Sequence, residues 1–197
     1  MKLPFIGTHG PLPPAVRERM VGSSWHADPR CPSFEALSLL NVDHWNCNGG
    51  LSRGQLIVAA PLAEEVLAIF AGLHALEFPI ARMDLVDAFG GDDDAAMAAN
   101  NSSCFNFRNV AGTDVLSNHA FGAAIDLNPR FNPMIIDGAF FPPAGVEFAD
   151  RGDLRPGMIV RPGPVVELFE ARGWEWGGDW DPTKDYHHFA KPGFRPR

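Results

Sequence analysis

The chain has 197 residues, 46% of them hydrophobic and 20% charged, the balance of a folded protein long enough to bury a core without staples. Sixteen Lys and Arg stand against 24 Asp and Glu, and the resulting net charge of −8, with no local basic cluster, argues against non-specific nucleic-acid binding. No apolar stretch reaches the ~18 residues of a membrane span, and twenty glycines with eighteen prolines point to a loop-rich α+β domain with short elements rather than a helical bundle.

In chain order, residues 1–22, with Gly10-Pro11-Leu12-Pro13-Pro14, read as an extended amino-terminal arm carrying at most a turn of helix around 16–20. The opening Met1-Lys2-Leu3-Pro4-Phe5 lacks the apolar run of a signal peptide. Residues 25–32 read as loop, and 34–42 show weak helical spacing through Phe34, Leu37 and Leu40, ended by Gly49-Gly50. Residues 54–59 form a short strand candidate. The firmest helix spans 61–77: Leu62, Val66, Ile69, Phe70, Leu73 and Leu76 keep three-and-four spacing, Pro61 and Glu64-Glu65 suit a first turn, and Phe78-Pro79 stops it.

Residues 80–86 alternate as a half-buried strand, and Gly90-Gly91 with Asp92-Asp93-Asp94 turns into a short helix over 95–99. That acidic triplet lacks the alternating oxygen ligands and terminal Glu of a calcium loop, and acids favour helix N-termini in any case. Residues 104–108 read as a strand with Phe105 and Phe107 on one face and Asn106 and Arg108 on the other. A polar turn over 110–117 leads to a strand over 121–127. Residues 128–163 then form a long excursion with six prolines and little regular structure, of the kind that is usually functional. A second helix over 164–172 ends at Gly173, and no repeat or linker divides the chain, so residues 1–197 are read as one domain. Cys31, Cys47 and Cys104 contain no Cys-x-x-Cys pair; one disulfide with a free thiol and three buried thiols both remain open.

Chemistry concentrates in two packets: Ser117-Asn118-His119-Ala120-Phe121-Gly122-Ala123-Ala124-Ile125-Asp126, and Asp185-Tyr186-His187-His188-Phe189 about sixty residues later. Together they offer His, Asp and His, the nitrogen and oxygen set of a catalytic zinc site with one position left for water. His187 and His188 are neighbours, and strand neighbours point to opposite faces, so only one should reach the metal. Asp185, three residues before His188, is placed to act as general base on the metal-bound water, and Arg108 to stabilise the oxyanion. The pattern reads as a zinc peptidase. Plainer readings stand beside it: any single His as a hydrogen-bonded structural residue, Ser117-Asn118 as a turn cap, Arg108 as a surface ion-pair partner. Trp174, Trp176 and Trp180 read as core before substrate platform, and His9, His26, His44 and His74 as structural or solvent-facing. Neither a helix-borne His-Glu-x-x-His nor a Gly-x-Ser-x-Gly elbow is present.

The pattern Ser117-x-His119-x-x-Gly122-x-Ala124-x-Asp126 followed by Asp185-x-x-His188 resembles the zinc D-alanyl-D-alanine carboxypeptidase and L-alanyl-D-glutamate endopeptidase family, which includes vancomycin-resistance dipeptidases and phage endolysins. Phe105 to Arg108, Gly112-Thr113, Asn128-Pro129 and Trp176-Gly177-Gly178-Asp179-Trp180 extend the resemblance over about residues 50–190. It implies His119, Asp126 and His188 as ligands of a Zn2+ cofactor, Asp185 as catalytic base, Arg108 at the substrate carbonyl and Ser117 in support. It implies an α+β fold, a small antiparallel central sheet with helices packed on one side and zinc in a groove across the sheet. The implied substrate is the peptide stem of bacterial peptidoglycan, hence a periplasmic or secreted site of action, by a monomer that needs no nucleic acid and no membrane span. Asp185 stands where many relatives carry Glu, which favours the endolysin-like branch; His187 stands where relatives often have Trp or Pro. Carboxypeptidase and endopeptidase both stay open. The alternative of another class is a non-catalytic zinc-binding module, since the amino-terminal signalling domain of hedgehog proteins resembles this fold. Retention of Asp185 and Arg108 argues for the enzyme.

Overall fold

The computed structural model describes residues 3–194. It is an α+β fold whose strands form three antiparallel three-stranded sheets. The first is built on a long hairpin, β2 (Leu37–Trp45) and β3 (Leu51–Ala59), with β1 (Gly7–Gly10) against the outer edge of β2. The expected amino-terminal arm is therefore tied into a sheet and continues into helix α1 (Pro14–Met20), while its first two residues lie outside the described residues. The weak helical spacing at 34–42 gives only a 3-10 turn, Phe34–Ala36, before β2 begins.

The cause of that miss is burial on both faces. Leu40 and Val42 of β2 and Leu56 and Val58 of β3 face the main core, under Val66, Ile69, Phe70 and Leu73 of helix α2 (Ala63–Ala75). Leu37, Leu39 and Ile57 point the other way, into a second core closed by Leu12, Val16 and Met20 and by Phe105, Phe107 and Ala120. A strand apolar on both faces loses the period-two signature that a half-exposed strand shows. The segment 104–108 puts Phe105 and Phe107 into the second core as expected but forms no strand, and 80–86 likewise runs extended with only an isolated bridge, Arg82 to Asn101. Helix α3 (Asp93–Ala98) is capped by Asp92, whose carboxylate accepts from the Ala95 N–H at 3.0 Å.

The second sheet joins β4 (Ala124–Asp126), β7 (Glu175–Trp176) and β9 (His188–Ala190). Its core face carries Ile125, Trp176 and Phe189, and Phe189 stacks on Phe169 of α4 (Pro164–Glu170) with ring centres 3.8 Å apart. The excursion over 128–163 holds more order than its prolines suggest: a hairpin of β5 (Met134–Ile136) and β6 (Ala139–Phe141), then a 3-10 turn over Pro143–Phe148. β5 also pairs with β8 (Lys184–Asp185), which closes the third sheet. All three cysteines are free, and only Cys104 is buried. Among the described residues no helix is long and apolar enough to cross a membrane.

Gly122 couples the first sheet to the loop that follows. Its carbonyl accepts from the Ala59 N–H at 2.9 Å, its φ is +64°, and a Cβ there would lie 2.5 Å from Ala59 N. Gly122→Ala combines left-handed strain with a backbone clash and should cost about 2 kcal/mol or more. In thermal denaturation that corresponds to a Tm lower by about 4–8 °C for a chain of this size.

Candidate metal centre

Three short segments deliver the side chains. His119 lies in a 3-10 turn, Asn118–Phe121, whose start is capped by the Ser117 hydroxyl accepting from the His119 N–H at 3.3 Å. Asp126 and His188 come from β4 and β9, where antiparallel register sets them directly opposite each other. Cross-strand partners hold their Cβ atoms about 4.5–5.5 Å apart, so these two side chains meet by pairing alone. Asp185 ends β8 and is set by its pairing with Met134 of β5. Gly177, in the turn after β7, lets that turn approach closely: a Cβ there would lie 2.7 Å from the Asp185 carbonyl and 3.3 Å from the His188 Cβ.

His119, Asp126 and His188 converge while buried, with one ligand atom from each all within 4.8 Å of one another. His119 Nε2 stands 3.1 Å from Asp126 Oδ2 and 3.3 Å from His188 Nδ1, and His188 Nδ1 stands 2.9 Å from Asp126 Oδ1. Tetrahedral zinc with bonds of about 2.0–2.1 Å separates its ligand atoms by about 3.3 Å, which is close to the His119 Nε2 to His188 Nδ1 spacing. The tautomer agrees. His119 Nδ1 sits 2.6 Å from the Cys104 carbonyl, a contact only an N–H can make, which in the neutral ring turns the Nε2 lone pair toward Asp126 and His188. Such a lone pair, facing a carboxylate and a second imidazole, could take up a cation between them.

The electrostatics are those of a buried charge cluster. Burial disfavours the imidazolium of His119, yet the Asp126 carboxylate outweighs it and holds the His119 pKa above its ordinary value. Burial likewise opposes ionisation of Asp126, but the neighbouring His119 and His187 keep it well below the usual carboxylate range. Asp185 goes the other way: burial pushes its carboxyl up against the pull of His187 and His188. Its Oδ1 is buried without a hydrogen-bond partner, within ion-pair distance of His187 Nε2 (3.0 Å) but without hydrogen-bond geometry to it. Asp185 thus presents an unbonded buried carboxylate oxygen beside the cluster.

The structure thus brings His119, Asp126, His188 and Asp185 together. His188 supplies the cluster nitrogen, but His187 is not turned to the opposite side. The chain bends between β8 and β9, so strand alternation does not apply, and His187 Nε2 lies 3.8 Å from Asp126 Oδ2 while its Nδ1 meets the Asn132 carbonyl at 2.8 Å. Ser117 serves as a turn cap within the site. Arg108 stands beside the cluster: its carbonyl accepts from the Ser117 N–H, and its guanidinium pairs with Asp93 at 2.7 Å. Trp174 and Trp176 are core, whereas Trp180 is 41% exposed with its ring 5.3 Å from His188. Sequence reasoning passed over Asn132, which is fully buried; its side chain donates to the Leu127, Asn128 and Gly157 carbonyls and accepts from the Ile159 N–H and from Arg151. No spacing rule points to such a knot.

Residues 111–191 match the family model described as D-alanyl-D-alanine carboxypeptidase. The matched span includes His119, Asp126, Asp185 and His188, and leaves Arg108 outside. No curated protein and no solved structure matches the chain.

Zinc at a hundredfold excess over its Kd should stabilise the protein by about 2.7 kcal/mol, read as a Tm rise of about 5–10 °C that a chelator reverses. His119→Ala should abolish both the rise and the bound metal measured by atomic absorption.

Proposed function

We propose that the chain is a zinc-dependent peptidase of one domain, acting as a monomer on the peptide stem of bacterial peptidoglycan. The observation that carries this reading is the buried His119, Asp126 and His188 cluster with the unbonded Asp185 oxygen beside it. A structural zinc site closes all four positions with protein ligands, and a non-catalytic module gains nothing from a further buried carboxylate with one oxygen left without a hydrogen bond. The description of the matched family supports removal of a terminal D-alanine over cleavage of the L-alanyl-D-glutamate bond. Such a substrate places the work outside the cytoplasm.

The three ligands would hold zinc, which when bound acidifies a water molecule and polarises a carbonyl. Asp185 Oδ1 takes the proton of the attacking water and returns it to the leaving amine. Burial raises its pKa, the direction that suits a group that must both accept and give a proton. Arg108 supplies positive charge where the carbonyl oxygen becomes anionic. Trp180, exposed next to His188, offers a flat apolar wall to the substrate.

The reading is checked by digesting purified peptidoglycan with the zinc-loaded protein and with a chelated control, and identifying products by mass spectrometry. Loss of terminal D-alanine is the expected result; a new free amine on D-glutamate would assign the endopeptidase instead, and one equivalent of bound zinc with neither product would leave the binding module. Asp185→Ala should lower kcat by about 10²–10⁴-fold with zinc content unchanged. Full activity in that variant would remove Asp185 from the base role.

A further inference from the structure

Three consecutive carboxylates, Asp92, Asp93 and Asp94, open helix α3, and their fates differ. Asp92 spends its side chain on the helix cap, and Asp94 is exposed. Asp93 instead reaches across to the segment beside the metal cluster and pairs through Oδ2 with Arg108 Nη2 at 2.7 Å, both side chains being about three-quarters buried (23% and 28% exposed). The buried Asn106 side chain ties the two segments by donating to the Gly91 carbonyl at 3.2 Å, and the Ser117 N–H, donating to the Arg108 carbonyl at 3.1 Å, ties the second of them to the turn that carries His119. The guanidinium is thus held at both tips, by Asp93 on Nη2 and by the Asn109 carbonyl on Nη1 at 3.3 Å, while its Nε is buried and unbonded.

We propose that Asp93 is a positioning residue: its carboxylate fixes the Arg108 guanidinium at the edge of the metal cluster in the orientation that meets the substrate oxyanion. The inference rests on the role of Arg108 given above. Arginine keeps large rotamer freedom unless its fork is engaged, and charge stabilisation of a transition state depends on donors already in place when charge develops. One carboxylate on one terminal nitrogen restrains the plane and leaves a free N–H on each terminal nitrogen for a ligand. The Asn106 N–H also donates to the His119 carbonyl at 3.1 Å, which ties the segment that carries Arg108 to the turn that carries His119. Asp93 touches no reacting atom; it acts through Arg108.

The test is a double-mutant cycle on the zinc-loaded enzyme, with Asp93→Asn, Arg108→Ala and the pair, assayed for kcat and KM, zinc content and Tm. Asp93→Asn should lower kcat by about tenfold or more, within the cost of a small misplacement of a catalytic group, with KM, zinc content and Tm nearly unchanged. Asp93→Glu should recover part of the loss, Asp94→Asn should behave as wild type, and Asp93→Asn should add nothing in the Arg108→Ala background. In 15N-detected spectra of the arginine side chains, the buried Nε–H of Arg108 should be protected in wild type and exchange-broadened in Asp93→Asn. An active wild type in which Asp93→Asn keeps full kcat, or in which its loss adds independently to that of Arg108→Ala, overturns the positioning role alone. A wild type that cleaves neither stem bond overturns the proposed function and the catalytic consequence of the pair with it.

Discussion

The rest of the site depends on a three-residue pairing. β4 and β9 align Ala124 with Ala190, Ile125 with Phe189 and Asp126 with His188. The middle pair faces the core, where Phe189 lies against Phe169 and Trp176, and the outer pair faces the cluster. A slip of one residue would turn Phe189 into the site and His188 into the core. The apolar packing of Phe189, fully buried, is therefore what fixes the relative position of the Asp126 and His188 side chains. His119 joins them from a turn that hangs on the end of β3 through Gly122, and the Cys104 carbonyl then fixes its ring.

Placing three imidazoles and two carboxylates in one buried group is costly unless charge is balanced and every ring is held. The second layer does this with neutral groups. The Cys104 and Asn132 carbonyls take the outer N–H of His119 and His187, so both rings turn Nε2 inward. Asn132 is in turn gripped by Arg151, a cation with carbonyl and amide acceptors only, whose pKa burial lowers to about 10. The long excursion thereby has a structural task. Its first strand pairs with Asp185, and its buried asparagine carries His187.

How much of this could be read from the residues differs by element. Helices α2 and α4 follow from three-and-four spacing and from local stops at Phe78-Pro79 and Gly173. The cap at Asp92 and the turn at Ser117 follow from side-chain oxygens placed just before short helical turns. β1 and β2 escaped because one lies within the proline-marked arm and the other is buried on both sides, so neither shows alternation. The strands expected at 80–86 and 104–108 are extended chain whose backbone groups bond singly to several elements, such as Phe105 N–H to the Ile57 carbonyl and Gln55 N–H to the Met83 carbonyl. Periodicity reports which face is buried; it does not report whether a neighbouring strand is present.

By itself the sequence determined the donor chemistry: two imidazoles and a carboxylate at 119, 126 and 188 with a second carboxylate at 185, spaced by glycines that permit close approach. It also determined the helices, because their signals lie within a few turns of the chain. Only the tertiary structure decided that these donors meet with ligand atoms within 4.8 Å, that His187 leans toward Asp185, and that Asp93 holds Arg108. Those outcomes join residues 15 to 69 positions apart or depend on a bend between two short strands. Register and packing of distant apolar residues set them, and no local pattern encodes that.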